Sequence, residues 1–349
     1  MKLAVVCRSC NGDDERECGC RRSLSRFFEL LSIAEQRRVS TLKVTSTDEN
    51  KTEGSGCVDK LTFRLESPLS VSELKQRSEA VGLSQKIVKL RDRRSYLLIG
   101  DKNGGWYFQL PHHEAPPFTT TMITRPSAFK SFETYRQCLL QILTLQELDA
   151  LRITRLDLAV DYSESFESIL QSVDVTHKQL RVKFTDKGNK RTGMMIGQGN
   201  EKLVIYDKGH EQKSNTVRTR LELQLTGAKL PARDLDSLRK TILAHDLKRR
   251  PFERVTLFEI KIRNTPALSS PLALERLRDL QVLFKREGFL ATRKRLSENG
   301  NFDRDYGPLF ELVPRAEQPD KTLARSLEAF FGGAKSARAS GLKLVTIET

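Results

Sequence analysis

The sequence has 349 residues, of which 38% are hydrophobic, and this is enough to bury the core of one large domain or two ordinary ones. Lysine and arginine number 60 against 45 aspartates and glutamates, so the formal net charge is +15 and the pI is about 9.6. Such a surplus favours polyanionic partners, nucleic acid first, with an anionic membrane surface or a merely basic protein as alternatives. No apolar run approaches the roughly 20 residues that span a bilayer, and the N-terminal apolar stretch is too short for a secretory signal. We therefore expect a soluble, cytoplasmic protein.

Four of the six cysteines crowd into fourteen residues near the N-terminus: Cys7, Cys10, Cys18 and Cys20. The Cys-x2-Cys spacing of the first pair suits a zinc knuckle, whereas the Cys-x-Cys spacing of the second pair is tighter than usual. Two alternatives stay open, a Zn²⁺ site and a reduced N-terminal tail without metal. A short amphipathic helix at 23–38 and a polar linker at 45–56 follow this segment.

The main domain is predicted to begin at Cys57 with a strand over 58–65, followed by a helical stretch that ends near residue 82. Three strand-like runs with turn signals between them come next, at 86–90, 95–99 and 105–110. His112 and His113 lie in a proline-rich loop. Apolar residues at helical spacing then predict one helix over 129–151.

Residues 153–162 alternate between apolar and polar side chains, which is typical of a half-buried strand. Its polar face carries Arg155, Asp157, Ala159 and Asp161. The pattern then predicts a short helix at 166–173, a strand at 180–184 and a glycine-rich turn. A hairpin over 201–225 follows this turn. The first hairpin strand leads into Tyr206, and the second places three leucines on one face and Arg220, Glu222 and Gln224 on the other.

The last predicted elements are a helix at 232–247, a strand at 255–263 and a basic helical stretch at 272–297. We expect the tail from 333 to be disordered. Strands and helices are mixed, and several adjacent strands are joined by short turns. These features predict an α+β fold with a mainly antiparallel sheet and flanking helices. The predicted units are a cysteine-rich segment with a linker at 1–56, a main domain at 57–265, a helical basic region at 266–332 and a tail at 333–349.

Three of these strands carry ionisable groups on the face opposite their leucines: Asp157 with Asp161, Tyr206 with Lys208, and Arg220 with Glu222. If the strands are neighbours, carboxylates, a phenol and cations meet on one surface. Carboxylate oxygens are the ligands that Mg²⁺ and Mn²⁺ prefer, and a metal there would polarise a phosphoryl oxygen. Tyr206 would then attack phosphorus, provided that Lys208 or the metal lowers its pKa from the ordinary value near 10.

An alternative stays open for these strands, because charged residues alternating with leucine also describe an ordinary solvent-facing strand with cross-strand ion pairs. In that case the polar face has a structural role, and Tyr206 is one more tyrosine at a strand end.

The order Arg155-Leu-Asp-Leu-Ala-Val-Asp161, then Ile205-Tyr-Asp-Lys-Gly-His-Glu211, then Arg220-Leu-Glu-Leu-Gln-Leu225 resembles the Rep_trans family, the rolling-circle replication initiators of plasmids and filamentous phages. The resemblance covers roughly residues 57–265. It implies a metal-dependent nickase with a relaxase-like sheet, which cuts one strand at the origin, stays joined to the 5′ phosphate and leaves a 3′-OH for a host polymerase.

Carried over residue by residue, the resemblance assigns the nucleophile to Tyr206 and the Mg²⁺ or Mn²⁺ ligands to Asp157 and Glu222, with Asp161 as a further ligand. The related HUH nucleases bind their metal through a His-hydrophobic-His triplet, but this chain has Pro111-His112-His113-Glu114 instead, so a histidine metal site is not supported. His210 and Glu211 follow Tyr206 closely, and no role is assigned to them.

Partners follow from the same resemblance: duplex and single-stranded DNA at a replication origin in a bacterial host, together with a host helicase, since nothing fits the Walker A pattern. Candidate DNA-binding residues lie on the basic helical stretch: Lys285, Arg286, Arg293, Lys294 and Arg295. Lys248, Arg249 and Arg250 form a second basic cluster. The sequence does not decide the oligomeric state, and a homodimer is one alternative.

Two rival functions remain. The first is a non-catalytic, sequence-specific DNA-binding regulator with the same basic surface. The second is an RNA-binding protein, which requires the four N-terminal cysteines to hold zinc.

Overall fold

The computed structural model describes residues 55–90, 94–101, 104–110, 119–176, 182–187, 190–244, 252–263, 271–299 and 302–332. Several predictions lie outside these residues: the four N-terminal cysteines, the helix at 23–38, most of the linker, the loop with His112 and His113, the cluster Lys248 to Arg250, and the tail. Within the described part of the chain, every helix is too short or too polar to cross a membrane.

The described residues contain thirteen strands. In chain order they are β1 (Ser55–Leu65), β2 (Gln85–Lys89), β3 (Ser95–Ile99), β4 (Trp106–Gln109), β5 (Thr120–Thr124), β6 (Arg152–Tyr162), β7 (Val173–Val175), β8 (Val182–Lys187), β9 (Lys190–Gln198), β10 (Glu201–Asp207), β11 (Thr219–Thr226), β12 (Val255–Ile262) and β13 (Phe310–Pro314).

Ten strands form one antiparallel sheet in the order β2-β3-β4-β5-β1-β6-β11-β10-β9-β8, and the other three form a small sheet in the order β13-β12-β7. The predicted α+β class with a mainly antiparallel sheet is confirmed.

The described residues also contain ten helices. They are α1 (Val71–Ala80), α2 (Phe132–Leu139), α3 (Leu145–Ala150), α4 (Phe166–Ser172), α5 (Lys208–Gln212), α6 (Leu235–Leu243), α7 (Pro271–Glu287), α8 (Phe289–Asn299), α9 (Phe302–Asp305) and α10 (Pro319–Gly332). Short 3-10 turns lie at Pro126–Ala128, Gly227–Lys229 and Gly307–Leu309.

The leucine faces of β6 and β11 lie in the main core, as the alternating pattern predicts. Leu158 pairs in register with Leu223, and Val160 with Leu221, so their side chains point to the same side of the sheet. All four are buried in one cluster with residues of helices α2, α4, α6 and α10. Burial of this apolar face fixes the register, because a slip by one residue would move every leucine to the other side.

The predicted single helix over 129–151 is wrong. The chain forms α2, turns, and starts again as α3, and Thr144 caps the new helix. The Thr144 side chain accepts a hydrogen bond from the amide of Glu147, whose carboxylate accepts one from the Thr144 amide. This capping box ends one helix and begins another within a continuous apolar pattern.

The glycine-rich stretch before the hairpin was predicted as a turn, but a turn remains only at 199–200, because residues 190–198 form the strand β9. Gly193 lies opposite Tyr206, and a Cβ atom at Gly193 would lie 3.5 Å from the Tyr206 Cβ. Pairing with β8 and β10 overrides the weak strand propensity of glycine. Three further strands are absent from the prediction, β5, β7 and β13. The basic stretch at 272–297 is divided into α7 and α8 at Gly288.

Helix α10 falls in the predicted helical region at 266–332 but packs against β1 at the middle of the large sheet. Leu323, Leu327 and Phe331 are buried in the main core. Gly56 allows the close approach, because a Cβ atom there would lie 2.8 Å from the Leu323 Cα, and its amide donates to the Ser326 hydroxyl at 3.1 Å. Residues near the C-terminus therefore complete the core of the main domain.

Candidate active site

The strands that carry the predicted site residues are direct neighbours in the order β6-β11-β10. Tyr206 on β10 pairs in register with Arg220 on β11, and Arg220 pairs with Asp161 on β6. Glu222 lies two residues along β11, and Asp157 lies four residues back along β6, on the same face. The phenol, the two aspartates and the glutamate therefore share one face of the sheet.

This polar face is a buried ionic cluster, so the alternative of a solvent-facing strand surface is wrong, although its ion pairs are present. The relative exposures are 0% for Asp157, 5% for Asp161 and 6% for Glu222, and that of Arg220 is 5%. Isolated charges would be very unfavourable at such positions, so burial requires that each is paired and hydrogen-bonded.

Arg220 holds two carboxylates. Its Nε and Nη2 donate to the two oxygens of Asp161 at 2.6 and 2.7 Å, and its Nη1 donates to Asp59. Asp59 reaches Arg220 at a bulge in β1, where the pairing with β6 shifts between Val58 and Lys60. Burial alone would raise the pKa of Asp59, but Arg220 and then Lys208 and Lys60 outweigh it and lower this pKa below 3.8.

Asp157 is held in the same way by a different arginine. Arg155 Nε and Nη2 donate to the two oxygens of Asp157 at 2.7 and 2.8 Å. Lys60 Nζ lies 3.5 Å from Asp157 Oδ2, and Arg155 Nη2 also lies 4.0 Å from Glu222 Oε1. A two-point guanidinium–carboxylate pair of this kind is among the stronger hydrogen-bonded ion pairs in proteins.

The Tyr206 hydroxyl donates a hydrogen bond to Glu222 Oε2 at 3.1 Å. Gln224 Nε2 donates to the other oxygen of Glu222 at 2.7 Å. Burial, with the charges of Asp157 and Asp59, raises the pKa of Glu222 above 4.5. Burial and then the charge of Glu222 also raise the pKa of Tyr206, while Arg220 opposes this rise.

Lys208 lies beside the ring of Tyr206 rather than at its hydroxyl. It is the first residue of α5, its Nζ is 5.6 Å from the ring centroid, and it forms an ion pair with Glu211 at 2.9 Å. The predicted role of Lys208 in lowering the pKa of Tyr206 stays a prediction.

The arrangement of Asp157, Asp161 and Glu222 does not fit a divalent ion. Among the described residues no three acidic, histidine or cysteine side chains come together in a way that could hold a metal. Asp161 already accepts two hydrogen bonds from Arg220, and the guanidinium of Arg155 lies against both Asp157 and Glu222. The geometry of these side chains gives the expected Mg²⁺ or Mn²⁺ site no support, and the site stays a prediction from the resemblance alone.

The sequence pattern places Arg155 on the polar face of β6 with Asp157, but it gives Arg155 no role in the site. It does not identify Asp59 and Lys60 as members of this cluster, since their position depends on the bulge in β1.

Comparison with solved structures finds a rolling-circle replication initiator protein from Geobacillus stearothermophilus, with a TM-score of 0.35 and 15% sequence identity over 68% of this chain and 100% of that chain. No protein-family model matches the sequence, and no curated protein matches it.

Several of the candidate DNA-binding residues on α7 and α8 form ion pairs within the chain. Arg293 Nη1 lies 2.7 Å from Asp174, and Lys294 Nζ lies 3.8 Å from Glu298. Arg286 and Arg295 share the carboxylate of Glu287, at 2.5 and 3.0 Å. Lys285 is exposed.

If Lys285 contacts a DNA phosphate, as the sequence predicts, Lys285→Gln should weaken DNA binding equally for all sequences and reduce the slope of log affinity against log salt by about one, because that contact is lost. Fluorescence anisotropy with a labelled duplex at several salt concentrations measures this slope. Lys321→Gln removes the same charge from the exposed surface of α10 and is the control. Equal slopes for the two variants would contradict a DNA contact at Lys285.

Replacing Glu222 with Gln should stabilise the protein, and more so at pH 8 than at pH 5. Because the folded state raises the pKa of Glu222, its contribution to stability is fully present below 4.5 and is lost as the pH rises through the higher folded value. Glutamine cannot ionise, so the midpoint of thermal unfolding should rise by about 2 °C or more at pH 8. Glu298→Gln, at an exposed position, should shift it by less at both values of pH.

Proposed function

We propose that this chain initiates DNA replication by nicking one strand at an origin, with Tyr206 as the nucleophile and Glu222 as the group that accepts its proton. The observation that carries this proposal is the 3.1 Å hydrogen bond from the Tyr206 hydroxyl to Glu222, on a sheet face that also bears Arg220. The resemblance of the three strand motifs to the Rep_trans family and the net charge of +15 support DNA as the substrate.

The reaction is a transesterification at phosphorus. The oxygen of Tyr206 forms a bond to the phosphorus atom, the bond from phosphorus to the 3′ oxygen breaks, and the 5′ side of the DNA stays on the tyrosine. The proton of Tyr206 passes to Glu222, and the 3′ oxygen takes up a proton from solvent water and leaves as a hydroxyl. Attack by a 3′ hydroxyl on the phosphotyrosine reverses these steps and rejoins the strand.

The electrostatics of the cluster determine when the proton leaves. Because the pKa of Tyr206 is raised, free tyrosinate is scarce at neutral pH, and the proton must be transferred as the attack proceeds. The raised pKa of Glu222 makes its carboxylate a stronger base than an exposed glutamate. Arg220 is the cation whose charge favours the developing negative charge on the Tyr206 oxygen.

The binding partners proposed with this function are origin duplex and the single strand opened from it. Strand separation and synthesis are assigned to a helicase and a polymerase of the bacterial host, because the chain has no Walker A loop.

A second candidate function, a non-catalytic DNA-binding regulator, is favoured by the pairing of the acidic groups. Asp59 and Asp161 are hydrogen-bonded to Arg220, and Asp157 to Arg155. A cluster that is neutralised within the chain also serves a structural role without any reaction.

A covalent adduct assay separates the two functions. The protein is incubated with labelled supercoiled plasmid that carries a candidate origin. One half of the reaction is resolved on an agarose gel, and the other half is digested with nuclease and resolved on a denaturing protein gel. The nickase should yield relaxed circles on the first gel and a protein band that retains labelled 5′ phosphate on the second. If footprinting shows specific binding while no adduct and no relaxed circle form, the protein is the regulator.

A further inference from the structure

The gap between the carboxylates of Asp157 and Glu222 is filled by a side chain of the protein itself. Arg155 Nη2 lies 2.8 Å from Asp157 Oδ2 and 4.0 Å from Glu222 Oε1, while its Nε lies 2.7 Å from Asp157 Oδ1. Lys60 Nζ approaches Asp157 from β1 at 3.5 Å. A divalent ion shared by Asp157 and Glu222 would have to take the place of the guanidinium.

We propose that Arg155 is the resident cation of this centre, which excludes divalent ions from Asp157 and Glu222 and binds the phosphate of the DNA instead. The second half of this proposal rests on the proposed function, whereas the first half, the exclusion of metal, does not.

The charge of the cluster supports this assignment. Four carboxylates face three cations in contact with them: Asp59, Asp157, Asp161 and Glu222 against Lys60, Arg155 and Arg220. The negative charge that would attract a divalent ion is already largely neutralised. A second cation placed beside the guanidinium would be repelled by it at a distance of a few ångströms in a buried site.

The position of Arg155 also suits a phosphate approaching from solvent. Its side chain is 34% exposed, whereas that of Asp157 is fully buried, so an incoming anion meets the guanidinium first. Arginine has five N–H donors, and its Nε and Nη2 donate to Asp157. The donors on Nη1 take no part in that pair and can bind a phosphoryl oxygen, for which the planar guanidinium is well suited.

Mn²⁺ binding tests the exclusion directly. The full chain is freed of metal with EDTA, dialysed and titrated with Mn²⁺, and free Mn²⁺ is followed by electron paramagnetic resonance. Mn²⁺ prefers oxygen ligands, so the N-terminal cysteines do not compete for it. Arg155→Gln should bind one Mn²⁺ at least about tenfold more tightly than the unaltered protein, and Arg155→Lys, which keeps the charge, should resemble the unaltered protein.

Two controls locate the gained site. Arg152→Gln removes an exposed arginine from the same strand and should leave Mn²⁺ binding unchanged. The double variant Arg155→Gln with Glu222→Gln should lose the gained affinity. The proposal is overturned if the unaltered protein binds Mn²⁺ as tightly as Arg155→Gln, or if Arg155→Gln, folded by circular dichroism, gains no affinity.

The rate of adduct formation in EDTA tests, on the unaltered protein, whether the reaction proceeds without a divalent ion. This test does not require Arg155→Gln to fold. The adduct should form as fast in EDTA as with Mn²⁺, and a rate that EDTA abolishes and Mn²⁺ restores would overturn the proposal. If no adduct forms under either condition, the proposed nickase function fails, and the Mn²⁺ titration alone decides whether Arg155 excludes metal.

Discussion

Replacing Tyr206 with Phe should lower the rate of covalent adduct formation by about a thousandfold or more, because the variant lacks the oxygen that we propose attacks phosphorus. The phenylalanine ring keeps the contacts of the tyrosine ring, so the fold and the binding of origin duplex should be retained. Single-turnover adduct formation on a denaturing gel measures the rate, and fluorescence anisotropy measures the binding.

A matched control comes from Tyr107, which lies on β4 of the same sheet. Tyr107→Phe removes an equivalent hydroxyl and should leave adduct formation within about twofold of the unaltered protein, since a hydroxyl away from the reacting atoms has no part in the attack. If Tyr206→Phe still forms the adduct at the original rate, or if mass spectrometry places the DNA on another residue, Tyr206 is not the nucleophile.

The hairpin around Tyr206 was predictable because the information for it is local. Strict alternation over residues 220–225 determines which side chains share a face, since the period of a strand is two residues whatever its neighbours. The same rule places Asp157 and Asp161 together on β6. The leucines of the adjacent strands β6, β11 and β10 are buried in one core, so the polar side chains of all three strands lie together on the opposite face of the sheet.

The burial of the polar face and the ion pair between Asp59 and Arg220 were not predictable, because both depend on distant parts of the chain. Asp59 contacts Arg220 across 161 positions of sequence, through a bulge that alternation cannot reveal. Because Asp59 and Lys60 of β1 pair with Arg220 and Asp157, residues that read as solvent-exposed in the sequence belong to a buried ionic cluster. The choice between a catalytic and a structural role for these residues therefore needs three-dimensional geometry in addition to the pattern.

Replacing Arg220 with Met should destabilise the protein by about 3–5 kcal/mol at pH 7, because it leaves the carboxylates of Asp59 and Asp161 near each other without their shared cation. Methionine keeps most of the volume of the arginine stem, so lost packing adds little. Equilibrium unfolding in urea, followed by circular dichroism, measures the change. Arg325→Met removes an arginine whose ion pair with Glu317 is largely exposed, and it should cost less than about 1 kcal/mol.

The dependence of this loss on pH identifies its origin. Arg220 contributes most among the charges that lower the pKa of Asp59 below 3.8, so the stability that this carboxylate contributes is present above 3.8 and is lost as the pH falls through the lower folded value. Without Arg220, burial raises the pKa of Asp59, and the variant gains stability on protonation. The difference between the variant and the unaltered protein should therefore shrink between pH 7 and pH 3, whereas a difference independent of pH would point to lost packing in place of unpaired charge.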